Sequence, residues 1–283
     1  MISEYVREKY AEEKCKGKKT SNNSFDIDAF FDDAKKEIGI EGKVKLLPNP
    51  QEEDKESRAD FSKNIPQIIL GLKGYDIGNL SEHLKQKLSN TIYHELIHVR
   101  DREQAQKDVK CHLQDNTTRS IGKFGFMVFD EYVAYYEANK RYPESEEDIR
   151  CSIEIIRYVF YSHMLKGFLT LEGRNPRSEK DEIDFFKAFY DYCSAVICNF
   201  VIKGKFGDDS DSFSNLVKAV ERLSHYYSRR VDLSWKDYEE IGREVVDIIM
   251  RNLSNKEKKI FLQNTGIEEY ANKKYTYFCK RKR

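Results

Sequence analysis

The stretch Ser89-Asn90-Thr91-Ile92-Tyr93-His94-Glu95-Leu96-Ile97-His98-Val99 decides how the rest of the chain is read. It carries His94-Glu95-x-x-His98. In a helix, residues four apart stand one turn apart on the same face, so both imidazoles can converge on one ion while the intervening Glu95 sits beside them as a general base. At about 100° per residue, Leu84, Leu88, Ile92, Leu96 and Val99 fall on one stripe. The spacing predicts a helix over 82–107 whose stripe faces a core and whose histidines flank it, lining a cleft.

Upstream of this helix, Phe25, Ile27, Phe30, Phe31, Ala34 and Ile38 recur at helical spacing before Gly39, which predicts an amphipathic helix that ends there. Short β-type runs follow at 43–47, 58–62 and 67–70, each bounded by turn residues. Everything from Ser81 onward reads as helical, with candidates near 82–107, 126–141, 145–171, 179–203, 213–229, 234–253 and 255–273. The expected fold class is α+β: a small sheet packed on the histidine helix and on the helix near 126–141, then a mostly helical C-terminal half. The expected division is a polar segment 1–22, a domain 23–143 and a helical region 144–283.

Composition bounds the function classes. The chain has 283 residues with 49 Lys+Arg against 49 Asp+Glu, a balance that argues against a nucleic-acid coat and against a polybasic membrane-surface protein. Its 39% hydrophobic and 13% aromatic content is too high for a disordered chain. Six cysteines are scattered without a C-x-x-C pair, which suits a reducing compartment. The first residues carry no apolar signal core, and the run Cys193–Ile202 is broken by Asn199 and too short to span a bilayer. The expectation is therefore a cytoplasmic protein with no membrane and no nucleic-acid partner. The terminal Lys280-Arg281-Lys282-Arg283 reads as a solvated tail, and Cys193 and Cys198 as buried thiols.

Two histidines leave a zinc site one protein ligand short, with a further position open for water. In Phe126–Ala138, Glu131 falls on the face formed by Met127, Ala134, Tyr135 and Ala138, while Asp130 and Glu137 point away from it. A carboxylate within an apolar stripe needs a compensating charge, which a metal or a buried Arg or Lys would supply. Glu131 is the expected third ligand. Asp101, one turn beyond His98, is the other candidate, better suited to orienting a histidine than to ligation. A metzincin would need a glycine and a third histidine where this chain has Asp101 and Gln104, so that class is excluded.

This order of helix, short strands, H-E-x-x-H helix and E-x-x-A helix resembles the gluzincin branch of the zincin metallopeptidases. With Glu131 thirty-three residues after His98 and Ala134 three further on, residues 25–143 are similar to the ImmA/IrrE-type metallopeptidases. The continuation Tyr136-Glu137-Ala138-Asn139-Lys140-Arg141-Tyr142-Pro143 differs from that family's usual Phe-Ala pair and apolar tail, and no helix-turn-helix segment accompanies it. The resemblance implies a peptidase that cleaves a regulatory protein such as a transcriptional repressor. It also implies a substrate that pairs with the sheet edge, for which 67–70 is the nearest strand in sequence to the histidine helix.

The mechanism expected of such a site is Zn2+ on His94, His98 and Glu131 acidifying a water, with Glu95 taking its proton and returning it to the leaving amine. Tyr135 and His163 are the candidate donors to the developing oxyanion. The alternative expectation is a weak or inactive zincin scaffold that works as a regulatory binding module. Oligomeric state has no signature in the residues.

Overall fold

A computed structural model describes residues 25–53, 57–114, 121–145 and 222–251 of the chain. They form a mixed α+β structure with a three-stranded sheet and mostly helical content. The described elements are α1 (Ile27–Ile38), β1 (Lys45–Asn49), β2 (Arg58–Asp60), β3 (Gln67–Gly71), α2 (Glu82–Gln104), α3 (Lys107–Gln114), α4 (Ile121–Arg141) and α5 (Trp235–Arg251). Single 3-10 turns stand at Ile77–Asn79 and Arg230–Asp232. The helices expected at 179–203 and 255–273, nearly all of 145–171 and the segment 1–22 lie outside the described residues, as do His163, Cys193, Cys198 and the basic tail. Of 213–229, residues 222–227 are described and helical. No helix among the described residues is long and apolar enough to cross a membrane.

Local chemistry accounts for the boundaries of α1. The Asp26 carboxylate accepts the Ala29 N–H at 3.0 Å and satisfies an N-terminal donor. At the other end Gly39 adopts φ +80°, and the N–H groups of Gly39 and Ile40 return to the carbonyls of Lys36 and Lys35. A Cβ would be strained at that φ, which is why glycine ends the helix.

The sheet has the order β1-β3-β2, with β1 parallel to β3 and β2 antiparallel to it. Three expectations change here. The first strand runs through Pro48 instead of stopping before it, because β1 is an edge strand of the described sheet and a missing N–H costs no ladder bond on its open side. The strand at 67–70 is the centre of the sheet, paired on both sides, so the edges of the described sheet are β1 and β2. The second strand also ends early, at Asp60, whose carboxylate accepts the Ser62 N–H at 2.8 Å and turns the chain.

By compactness the chain divides into two units, Met1–Gln104 with Val133–Cys151, and Ala105–Tyr132 with Ser152–Arg283. In the first, α1 and the sheet pack on α2. Ile68 and Leu70 of β3 are fully buried, as are Leu88, Ile92, Leu96 and Val99 of the stripe read from the sequence, whereas Leu84, in the first turn of α2, is only half-buried. The Ser81 hydroxyl accepts the Leu84 N–H and starts α2. The C-terminal turns of α2 carry Arg102, whose guanidinium lies 3.8 Å from the centroid of Phe61, just past β2. The helix ends at Gln104, short of the expected 107, and α3 starts separately after a break at Ala105 and Gln106 that no Gly or Pro announces.

In the second unit, Val109, Phe124, Phe126, Phe129, Tyr132, Leu233, Tyr238 and Ile241 are buried. The fifth helix opens with a reciprocal cap, the Ser234 N–H donating to Asp237 at 2.8 Å and the Asp237 N–H facing the Ser234 hydroxyl at 3.4 Å. The fourth helix begins at Ile121, five residues before the expected 126, because Gly122 and Gly125 are used for close packing and not as breakers. A Cβ on Gly125 would run into the Tyr238 carbonyl and stand 2.7 Å from the Gly242 N. Both obstacles are backbone and cannot rotate away. Gly125→Ala should therefore cost about 1–3 kcal/mol in urea unfolding, despite the ~1 kcal/mol that alanine gains in a helix. An unchanged or raised midpoint would show that the two helices are free to separate.

Candidate metal centre

From Leu88 to Arg100 every residue of α2 except Thr91 is buried, and among them Asn90, His94, Glu95, His98 and Arg100 are polar groups each less than 9% exposed. Buried polar groups are costly unless they are paired, so their partners define the site. The His94 and His98 rings stand edge to face with centroids 4.7 Å apart, and their Nε2 atoms are 3.0 Å from each other. Two neutral imidazoles sharing a proton would satisfy that distance. So would two ligands of one ion.

The partners come from α4, which runs without interruption from Ile121 to Arg141. Its C-terminal part, from Val133, belongs to the same compact unit as α2. The Tyr135 ring sits edge-on to His94 with centroids 4.4 Å apart. Asn90 donates to Asn139 Oδ1 at 3.2 Å and to the Tyr142 carbonyl at 2.6 Å, and Gln86 donates to the Pro143 carbonyl at 2.5 Å. Asn139 donates onward to the Tyr135 carbonyl at 3.1 Å, and the Tyr142 ring packs edge-on to Tyr93. Glu131 lies one turn N-terminal to Tyr135 on the same continuous helix and so faces the same way. One ligand atom each from His94, His98 and Glu131 lies within 4.8 Å of the others.

The donor chemistry fits a zinc ion. With Zn–N bonds of about 2.0–2.1 Å, ligand atoms of a tetrahedral site stand about 3.3 Å apart, close to the separation of the two Nε2 atoms. Two imidazoles and a carboxylate are a ligand set that zinc accepts while keeping a further position open.

Arg100 organises the flank of the site. Its guanidinium grips both Glu137 oxygens, at 2.5 and 3.2 Å, and its Nε and Nη2 reach Asp101 Oδ1 at 2.7 and 2.6 Å. Burial alone would lower the guanidinium pKa, but the hydrogen bond to Glu137 and the charges of Asp101 and Glu137 outweigh it and hold the group above its ordinary value. Burial likewise pushes up the hydroxyl pKa of Tyr93, with Glu37 and Glu137 adding to it.

The expected residues fall out as follows. His94, His98 and Glu131 are brought together, Glu95 is buried between the histidines in sequence, and Tyr135 adjoins His94. Asp101 is a salt-bridge partner of Arg100. Asp130 and Glu137, expected to point away from that face, are not in the group; Asp130 is buried all the same, at 7% exposed, and Glu137 is taken by the guanidinium of Arg100, an arginine long enough to reach around the helix. Arg100, Asn90 and Asn139 were not singled out from the sequence. The signal available was a charge and two amides at positions the apolar stripe would bury.

Purified chain incubated with zinc should carry about one equivalent by mass spectrometry, lost in both His98→Ala and Glu131→Ala. A wild type that stays metal-free would leave the 3.0 Å pair as a hydrogen bond only. Separately, Arg100→Met should destabilise the fold by about 3–5 kcal/mol in denaturant titration, because it removes the guanidinium that pairs with two largely buried carboxylates. A loss under 1 kcal/mol would mean that water reaches them. Comparison with family models, curated proteins and solved structures finds no match to this chain, so its functional reading rests on its own residues.

Proposed function

We propose that the chain is a zinc-dependent metallopeptidase of the zincin type that hydrolyses peptide bonds in a protein substrate. The observation that supports this reading above all is that one ligand atom each from His94, His98 and Glu131 lies within 4.8 Å of the others, with Glu95 on the turn between the histidines. His94, His98 and Glu131 would hold the ion. Bound there, zinc supplies Lewis acidity, which acidifies a water to a pKa near 7 and polarises a carbonyl.

The residues of the chain do the rest. Glu95 accepts the proton of the attacking water and later delivers it to the leaving amine, a transfer that needs a carboxylate held at fixed distance and screened from bulk water. Its 7% exposure meets the second condition. Tyr135, held against His94, is the described residue best placed to donate a hydrogen bond to the oxyanion. An extended substrate would add to an edge of the sheet, and since β3 is central that edge is β1 or β2. Of the two, β2 is the one that packs on α2. The compact spacing from His98 to Glu131, shared with the ImmA/IrrE-type enzymes, favours a regulatory protein such as a repressor as substrate.

Glu95→Gln separates chemistry from binding. The variant should keep the zinc content of the wild type and lose hydrolysis by about a hundredfold or more. Retained activity would remove Glu95 as the base. A zinc-loaded wild type that binds partners but cleaves none would move the reading to a regulatory scaffold.

A further inference from the structure

We propose that the buried cluster of Arg100, Asp101 and Glu137 is a positioning device for the metal ligand Glu131, acting by fixing the rotation and the slide of α4 on α2; this rests on the metal reading above. Four contacts between the two helices form a regular ladder: Gln86 with Pro143, Asn90 with Asn139, His94 with Tyr135, and His98 with Glu131. Each step advances four residues on α2 and retreats four on α4. The helices therefore run antiparallel, one turn per rung.

A ladder of this kind leaves one freedom weakly held. Among the residues of α4 between its rungs, Val133, Ala134 and Ala138 are all fully buried, and none of them carries a polar side chain that could tie α4 to α2. The Arg100–Glu137 pair does not lie on the ladder. Level with Arg100 on α4 would be residue 129, and Glu137 is eight residues beyond it, so the pair runs diagonally across the two helices. A diagonal tie resists sliding in a way that rungs alone do not.

Arginine is suited to this because its planar fork meets a carboxylate in one geometry, and both Glu137 oxygens are engaged. The third member, Asp101, takes the Nε edge and fixes the guanidinium plane from the α2 side. Glu137 is six residues from Glu131 on one rigid helix, about 9 Å along its axis, so the angle at which Glu137 is clamped sets the angle at which Glu131 meets the histidines. Well-packed apolar residues could have supplied stability at these positions without burying three charges. What they would lack is a single preferred rotation.

The test is cobalt(II) titration of the full chain, read by visible absorption and by competition for the metal, with melting temperature as a separate measure. The variants are Glu137→Gln, Arg100→Lys and Glu131→Ala, with Glu37→Gln as control because it cuts an exposed pair between Glu37 of α1 and Arg141 at the end of α4. Glu137→Gln and Arg100→Lys should each weaken cobalt binding about tenfold to a hundredfold and shift the absorption bands toward those of Glu131→Ala, while Glu37→Gln matches the wild type. Arg100→Lys keeps the cation beside both carboxylates and loses only the fork, so it decides the matter if Glu137→Gln does not fold. Wild-type affinity and bands in the folded variants, whatever their melting temperatures, would overturn the positioning role and leave the metal site standing. A wild type that binds no cobalt would overturn both.

Discussion

Burying Asn90, His94, Glu95, His98 and Arg100 within eleven residues of one helix is a constraint that the neighbouring chain has to meet. Each such group, left without a partner, would cost more than a typical hydrophobic contact returns. The second helix meets the constraint by running antiparallel to the first and presenting a matching group every four residues. Amide faces amide, amide faces carbonyl, ring faces ring. The sheet and α1 play a different part, covering the opposite, apolar side of α2 with Ile68, Leu70, Phe31 and Ala34. The histidine helix is thus apolar toward the sheet and polar toward α4, and the site lies on the polar side.

The division of labour explains which features could be read in the amino-acid sequence. The stripe from Leu88 to Val99 and the ends of α1 were legible because each depends on residues close in the chain: a period of 3.6, an aspartate cap, a glycine at positive φ. The grouping of His94, His98 and Glu131 was legible for a related reason. Helical spacing fixes two of the three, and a carboxylate on an apolar face asks for a cation.

What was not legible depends on distant partners. Nothing near Arg100 reveals that Glu137 will close on it from thirty-seven residues away, and a helical wheel drawn for α4 alone assigns Glu137 to the far side. The central place of β3 follows from the parallel pairing with β1, a long-range choice that strand-length runs do not encode. The start of α4 at Ile121 instead of near 126 rests on close packing at Gly122 and Gly125 against Trp235 and the Tyr238 backbone, which lie far on in the chain. The break at Ala105–Gln106 has no residue of unusual backbone preference, and Gln106 makes its visible commitment to the carbonyl of Asp232.

The fourth rung of the ladder differs from the other three. Those are complementary as they stand, donor to acceptor or ring edge to ring face. The fourth sets two imidazoles and a carboxylate toward one another, a donor set that could hold a divalent cation. Beside it stand the paired charges of Arg100, Asp101 and Glu137. In a region this poorly exposed, electrostatic fields are screened less than at the surface. The same burial that makes the polar face of α2 expensive to fold would therefore strengthen the hold of the proposed site on a divalent ion. It also keeps bulk water from the carboxylate of Glu95, so that the groups which are costly for folding are the ones the proposed chemistry uses.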